Sequence, residues 1–286
     1  MSKNKYEIDM CNGTIMDKLI SFSVPLMLSG ILQLMFNAVD IIVVGRFAGS
    51  QSLAAVGSTT ALINMFVNLF IGVSLGENVL AARFYASGKH KEMSETVHTA
   101  ITFAAISGVV MALIGVLMAK PALELMGTPD DVINLSTLYM RIYFLGMPFF
   151  MLYNYGAAVL RAVGDTKRPL MFLIAAGIIN ACLNMVLVIV FNLGVAGVAI
   201  ATIFSQFISC VLVLRCLNKT DASYQLRFSK LKIKGYYLKQ IFQVGIPAGI
   251  QSFLGFIGKP FLVLTIATLA AMYFLGIRRG FTGAQL

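Results

Sequence analysis

Charge is scarce in this sequence. Asp, Glu, Lys and Arg make up 12% of its 286 residues, where a soluble domain carries about a quarter. So few charges cannot coat a water-facing surface, which argues against an ordinary soluble domain and for lipid as the solvent. Histidine numbers only 2 and cysteine 4. His90 and His98 do not stand at metalloprotease spacing. Cys11, Cys182, Cys210 and Cys216 lack metal or redox spacing and read as small apolar side chains. No nucleophile elbow or phosphate loop occurs. The chain is therefore not read as an enzyme, and no cofactor is expected. The apolar–polar alternation of a membrane barrel is missing. Met1 to Met10 is polar and mixed in charge, unlike a cleaved signal peptide.

What is abundant is hydrophobic sequence, at 58% of the chain. A helix needs roughly 20 apolar residues to cross the hydrocarbon core. Six runs reach that length: Leu19 to Val44, Ala54 to Leu75, Val97 to Met118, Leu135 to Val159, Leu170 to Phe191 and Val195 to Leu217. The expected class is an all-α integral membrane protein: a six-helix lobe plus one or two further hydrophobic segments.

The net charge of +10 would suggest nucleic acid in a soluble protein. Here the basic residues fall between the apolar runs, and on one side of them. Lys3, Lys5 and Lys18 precede the first run, Arg83, Lys89 and Lys91 follow the second, and Arg161, Lys167 and Arg168 follow the fourth. Arg215, Lys219, Arg227, Lys230, Lys232, Lys234 and Lys239 follow the sixth. Only Arg46, Lys120 and Arg141 fall on the other side. The positive-inside rule then places the N-terminus in the cytoplasm of a multi-pass protein of the cell membrane. The partner this implies is the lipid bilayer, not nucleic acid, and no oligomer is implied.

Lys18 to Pro25 is echoed by Gln240 to Pro247, with a proline at the same register. An even number of spans separates the two copies, which gives a parallel repeat, one of the layouts of secondary transporters. The chain divides accordingly into a lobe at 1–217, a basic linker at 218–239 and the start of a second lobe at 240–286. The second copy does not continue like the first: the partner of Asp40 would be Leu262.

Ionisable groups inside a bilayer are costly, so each is a functional candidate. Asp40 is the sharpest. Gln33, Asn37 and Asp40 follow i, i+4, i+7 and share one helix face. A carboxylate on such a stripe can bind a cation or take up a proton; the competing reading is an interfacial residue paired with Arg46. Asn180 and Asn184 share a face of the fifth run, as do Thr202 and Gln206 on the sixth. Their oxygens suit an alkali cation, and the same groups bond helix to helix. Asn64 and Asn68 invite the same two readings. Glu77 lies just past the second run and is expected to be solvated. Pro25 and Pro148 interrupt helical runs and are hinge candidates. Tyr143, Tyr153 and Tyr155 suit an aromatic cavity for flat organic cations, or plain packing.

Four stretches also resemble the multidrug and toxin extrusion family. They are Pro25 in the first run; Asn37 to Asp40 leading to Gly45-Arg46-Phe47-Ala48-Gly49; Leu160 to Pro169; and Leu193 to Thr202. The resemblance covers Leu19 to about Phe253. It implies two six-helix lobes and export of amphipathic, mostly cationic organic compounds against inward flow of protons or sodium. It also implies a coupling role for Asp40, with Asn180, Asn184 and Thr202 as cation ligands, the one metal site expected being for sodium. Gln33, Asn37, Gln206 and Tyr143 are then substrate-cavity candidates. Some members carry a carboxylate where this chain has Asn184, which leaves a proton on Asp40 as an alternative to sodium. Beyond Phe253 the pattern stops, as in a truncated or altered tail. Two other readings stand beside export: a lipid-linked oligosaccharide flippase of related architecture, for which Arg141 is the main cavity cation, and a fragment that transports nothing.

Overall fold

A computed structural model of the chain describes residues 8, 14–252 and 254–255. Most of the stretch read as the start of a second lobe, everything beyond residue 255, lies outside the described residues, as does Cys11. Regular structure among the described residues is helical, with no strand. The helices are α1 (Ile15–Val43), α2 (Gly49–Ala86), α3 (His90–Leu125), α4 (Ile133–Leu145), α5 (Met147–Ala162), α6 (Lys167–Met185) and α7 (Gly194–Asn218). A further helix, α8, covers residues 235–252. It begins inside the stretch read as a linker.

Lipid satisfies no backbone group, so a spanning segment must satisfy its own, and the helix does that. Four helical stretches are long and apolar enough to cross a bilayer, and the bent pair α4–α5 supplies another. The longest stretch, Ile15–Ala86, has 72 residues, more than three times what one crossing needs. It folds back through a π-helical turn at Val44–Ala48 and Gly49, whose φ of 86° suits glycine and few other residues. Ile8, which precedes α1, and the later part of α2 both lie by the α5–α6 turn and the end of α5. There Ile8 N–H donates to Gly164 O at 3.4 Å and the Asn78 amide donates to Ala158 O at 2.8 Å. The lobe therefore makes six passes with a basic end and an opposite end.

The fourth pass departs from expectation. Leu135 to Val159 reads as one run, but α4 and α5 meet at Gly146 with a bend of 46°. Pro148 occupies the first turn of α5. A proline costs little there because that N–H has no helical acceptor anyway. The bend is thus a helix end followed by a helix start. Pro25 does lie inside α1, is buried, and its carbonyl accepts from the Ser29 hydroxyl at 2.8 Å.

Between helices in lipid, close approach of small residues takes the place of hydrophobic burial. Gly115 faces the Phe144 ring, and an added Cβ would lie 2.1 Å from it; at Gly177 it would lie 1.7 Å from the Phe36 ring. Helix α5 runs through the middle, with Met151, Tyr155, Ala157, Val159 and Leu160 fully buried. Helix α1 sits at the edge and packs on α6.

Candidate functional site

The end of α1 meets α6 and α7 near the end of the lobe opposite the basic one. Asp40 stands one turn before the π-helical turn that ends α1, half-buried. The Asn184 Nδ2 of α6 donates to Asp40 Oδ1 and also to Asn180 Oδ1 at 3.2 Å. The Asn180 Nδ2 reaches Thr202 Oγ1 of α7 at 3.5 Å. The Thr202 hydroxyl itself donates to Val198 O at 3.0 Å, so its lone pairs face the asparagines. Asn180 and Asn184 are buried. The Asn184 Oδ1 is buried with no hydrogen-bond partner among the described residues.

Four residues from three helices therefore form one connected polar cluster. Its oxygens are a carboxylate, two amide carbonyls and a hydroxyl, hard donors of the kind that suit a small cation. The Asn184 carbonyl is an acceptor with no donor among the described residues. Its burial without a partner is costly. Among the described residues no ion pair joins Asp40 to Arg46. In place of that competing interfacial pair, Asp40 bonds inward, to α6.

The other candidates are placed differently. Gln33 and Asn37 share the Asp40 stripe but are exposed, and neither bonds to the cluster among the described residues. Tyr143 is half-buried beside Gln206. Tyr139, one turn before it, was not singled out from sequence; its ring lies 6.2 Å from that of Tyr143, and both tyrosines lie within electrostatic reach of Asp40. The i, i+4 tyrosine pair was the available signal. Tyr153 and Tyr155 are core residues and not part of this region. The Tyr153 hydroxyl donates to Pro169 O at 3.2 Å, and Tyr155 is fully buried with its ring 6.0 Å from Phe103. Asn68 spends its amide on Asn64 O of its own helix at 2.7 Å.

Glu77 corrects a second expectation. It is fully buried, and neither carboxylate oxygen has a hydrogen-bond partner among the described residues. The apolar run stops at Leu75, but α2 continues to Ala86 under the cover of α5 and α8. Solvation near the surface is thus replaced by burial in the packed wall.

The MatE family model matches residues 25–186, more than half of the chain. A probable multidrug resistance protein of Bacillus subtilis, YoeA, is 35% identical over 242 residues, which cover 82% of this chain and 52% of that protein. A second from the same organism, YpnP, is 28% identical over 245 residues, covering 85% and 54%. The chain thus spans about half the length of these relatives. A solved structure described as the outward-facing conformation of a multidrug resistance MATE family transporter superposes with a TM-score of 0.83 at 22% identity. It covers 91% of this chain and 58% of that one, and it establishes the same fold. With the family model matched over more than half of its length, Asp40, Asn180 and Asn184 included, this multi-pass membrane chain belongs to the MatE family.

Proposed function

We propose that the chain is the first lobe of an exporter that moves amphipathic, mostly cationic organic compounds out of the cell in exchange for protons or sodium. The multidrug resistance relatives support export. The observation that carries the coupling reading is the cluster of Asp40, Asn184, Asn180 and Thr202, which ties α1 to α6 and α7 through one carboxylate.

A proton or sodium ion arriving there changes the charge of Asp40 and fills the Asn184 carbonyl. Binding therefore favours the arrangement in which α1 is drawn onto α6. An ion shifts a conformational equilibrium only by its differential affinity for the two states. The half-buried edge position of α1 makes it the helix most able to change packing, and Pro25 lies within it as the hinge. The exposed Gln33 and Asn37 stripe, together with Tyr143 and Gln206, then faces substrate in the complete two-lobed protein. The basic end of the lobe faces the cytoplasm of a cell-membrane protein.

The flippase reading needs cavity cations for a pyrophosphate. Arg141 is exposed and spends its Nε on Val116 O of α3 at 3.2 Å, and as a single cation it supports that reading less than the multidrug resistance relatives support export. The export reading is tested by dye efflux from vesicles holding this lobe joined to a second one, under an imposed proton or sodium gradient. Asp40→Asn should assemble normally and lose gradient-driven efflux. Efflux at the parental rate would refute the coupling role.

A further inference from the structure

The connection from α7 to α8 is not a slack tether. Tyr224 and Leu226 are fully buried, and Leu226 N–H donates to Leu217 O at 3.1 Å. The next residue is fastened to α3: Arg227 N–H donates to His98 Nε2 at 3.1 Å. The other ring nitrogen of His98 donates to Ser94 O at 2.6 Å, so the two bonds fix one neutral tautomer. One residue along α3, the Thr99 Oγ1 accepts from Lys234 N–H at 3.3 Å and donates to Lys232 O at 3.5 Å. Glu95, one turn earlier, pairs with Lys234 Nζ at 2.5 Å. The segment is thus pinned through its backbone at both ends, at residue 227 and at residues 232–234.

Between the pins, Phe228–Lys230 form a 3₁₀ turn with no buried residue. With the backbone bonds directed inward, the side chains project outward. Phe228 is 56% exposed and Leu231 38%, and Lys230 and Lys232 are exposed beside them. Neither lysine has an ion-pair partner among the described residues. Unpaired ammonium groups interleaved with exposed apolar side chains, next to two membrane-associated helices, match the chemistry of a bilayer interface. There the apolar groups enter the acyl boundary and the amines reach the phosphates.

We propose that residues 227–234 form a preorganised docking surface for anionic phospholipid headgroups, held in shape by His98 and Thr99. Free polyanions carry the same charge but offer nothing to Phe228 and Leu231, so the surface is assigned to lipid. Anionic lipid bound there braces the connection between α7 and α8 against α3.

The chain contains no tryptophan, so Phe228→Trp makes a single fluorescent reporter at the patch. The full chain carrying it is reconstituted in phosphatidylcholine nanodiscs. Brominated phosphatidylglycerol is added in one series and brominated phosphatidylcholine in another, at matched mole fractions. The expected result is quenching by both lipids, with a preference of about tenfold for the anionic one, in line with two basic side chains near a charged surface. Lys230→Gln with Lys232→Gln should reduce that preference to about twofold or less, and Lys230→Glu with Lys232→Glu should reverse it. His98→Ala keeps every lysine but frees the segment, and should lower the preference part of the way. Equal quenching by the two lipids, or none by either, overturns the proposal. So does loss of the preference on adding a short RNA at low concentration, which would reveal a general polyanion surface. An unchanged preference in His98→Ala would overturn the preorganisation by α3.

Discussion

Two carboxylic acids in the helices of this lobe, Asp40 and Glu77, are treated by the structure in opposite ways. Asp40 sits at the edge, half-buried, with its oxygen bonded to Asn184 and a hydroxyl close by. Glu77 sits in the wall between α2, α5 and α8, fully buried, with no hydrogen-bond partner among the described residues. Arg161 is within electrostatic range of it but forms no ion pair. Depth alone therefore does not identify a working acid. A group that must change charge reversibly needs partners for its charged form and a path along which an ion can reach it. Asp40 has polar partners and partial exposure; Glu77 has neither. The difference favours Asp40 over Glu77 for the proposed coupling role and leaves Glu77 as part of the packing.

The largest expected effect tests the first half of that contrast. Asp40→Asn keeps the volume and a hydrogen bond to Asn184, so folding and membrane insertion should match the parent. Gradient-driven efflux should fall by about 5- to 150-fold, the range of an ordinary coupling free energy. The measurement is dye efflux at matched protein amounts.

The next effect concerns the wall around Glu77. Beside it, α2 and α8 touch backbone to backbone. A Cβ on Gly72 would lie 2.0 Å from Gly249 Cα, and one on Gly76 would lie 2.2 Å from Ile241 O. Gly72→Ala should push α8 away and cost about 1–3 kcal/mol. This would be read as a lowered unfolding temperature in detergent and faster proteolysis between residues 219 and 234. Gly57→Ala is the control, since nothing lies within 4 Å of its added Cβ. That change should instead stabilise α2 slightly, by up to about 1 kcal/mol. Equal behaviour of the two variants would show that the α2–α8 seam is not close-packed.

Much of this was legible in the sequence, for definite reasons. The bilayer demands apolar runs of fixed length, so the six passes could be counted. The i, i+4 spacing of Asn180 with Asn184 placed both on one face, and that face meets Asp40. The bend at Gly146 was hidden because Gly146, Met147 and Pro148 lie within an uninterrupted apolar run with no polar signal of a break. The depth of Glu77 was hidden because hydropathy falls after Leu75 while the helix and its neighbours continue. Tyr153 and Tyr155 carried no mark separating a core tyrosine from a cavity one; that depends on which helices cover them. Gln33 and Asn37 share a stripe with Asp40, yet the cluster gathers only Asp40, because α6 meets α1 near its end.

A smaller effect probes the cluster from the α6 side. Asn184→Ala removes the donor to both Asp40 and Asn180. It should destabilise the lobe by about 1–2 kcal/mol, the cost of leaving a half-buried acceptor unbonded. Efflux should weaken less than in Asp40→Asn, since the carboxylate remains. A loss as large as that of Asp40→Asn would make the amide an equal partner in ion binding.

The smallest effect belongs to Glu77. Glutamine has nearly the same shape, so Glu77→Gln leaves the α2–α8 seam and its glycines undisturbed. An ionised carboxylate buried without hydrogen bond or ion pair is expensive, and glutamine removes that cost while adding an amide that must itself find a partner. The buried Tyr155 hydroxyl, also without a hydrogen-bond partner among the described residues and within electrostatic reach of Glu77, is a candidate to receive it. The two contributions offset, so the unfolding temperature should shift little, within about 1 kcal/mol of stability, and efflux should be unchanged. Breaking a buried ion pair behaves differently: removing one partner costs about 3–5 kcal/mol. A loss of that size in Glu77→Gln would mean that Glu77 pairs with Arg161 in the working protein. A double-mutant cycle with Arg161→Gln decides the matter. Coupling of the two substitutions beyond about 0.5 kcal/mol would establish the pair, and the contrast between the sealed, unpartnered acid and the hydrogen-bonded one would fall with it.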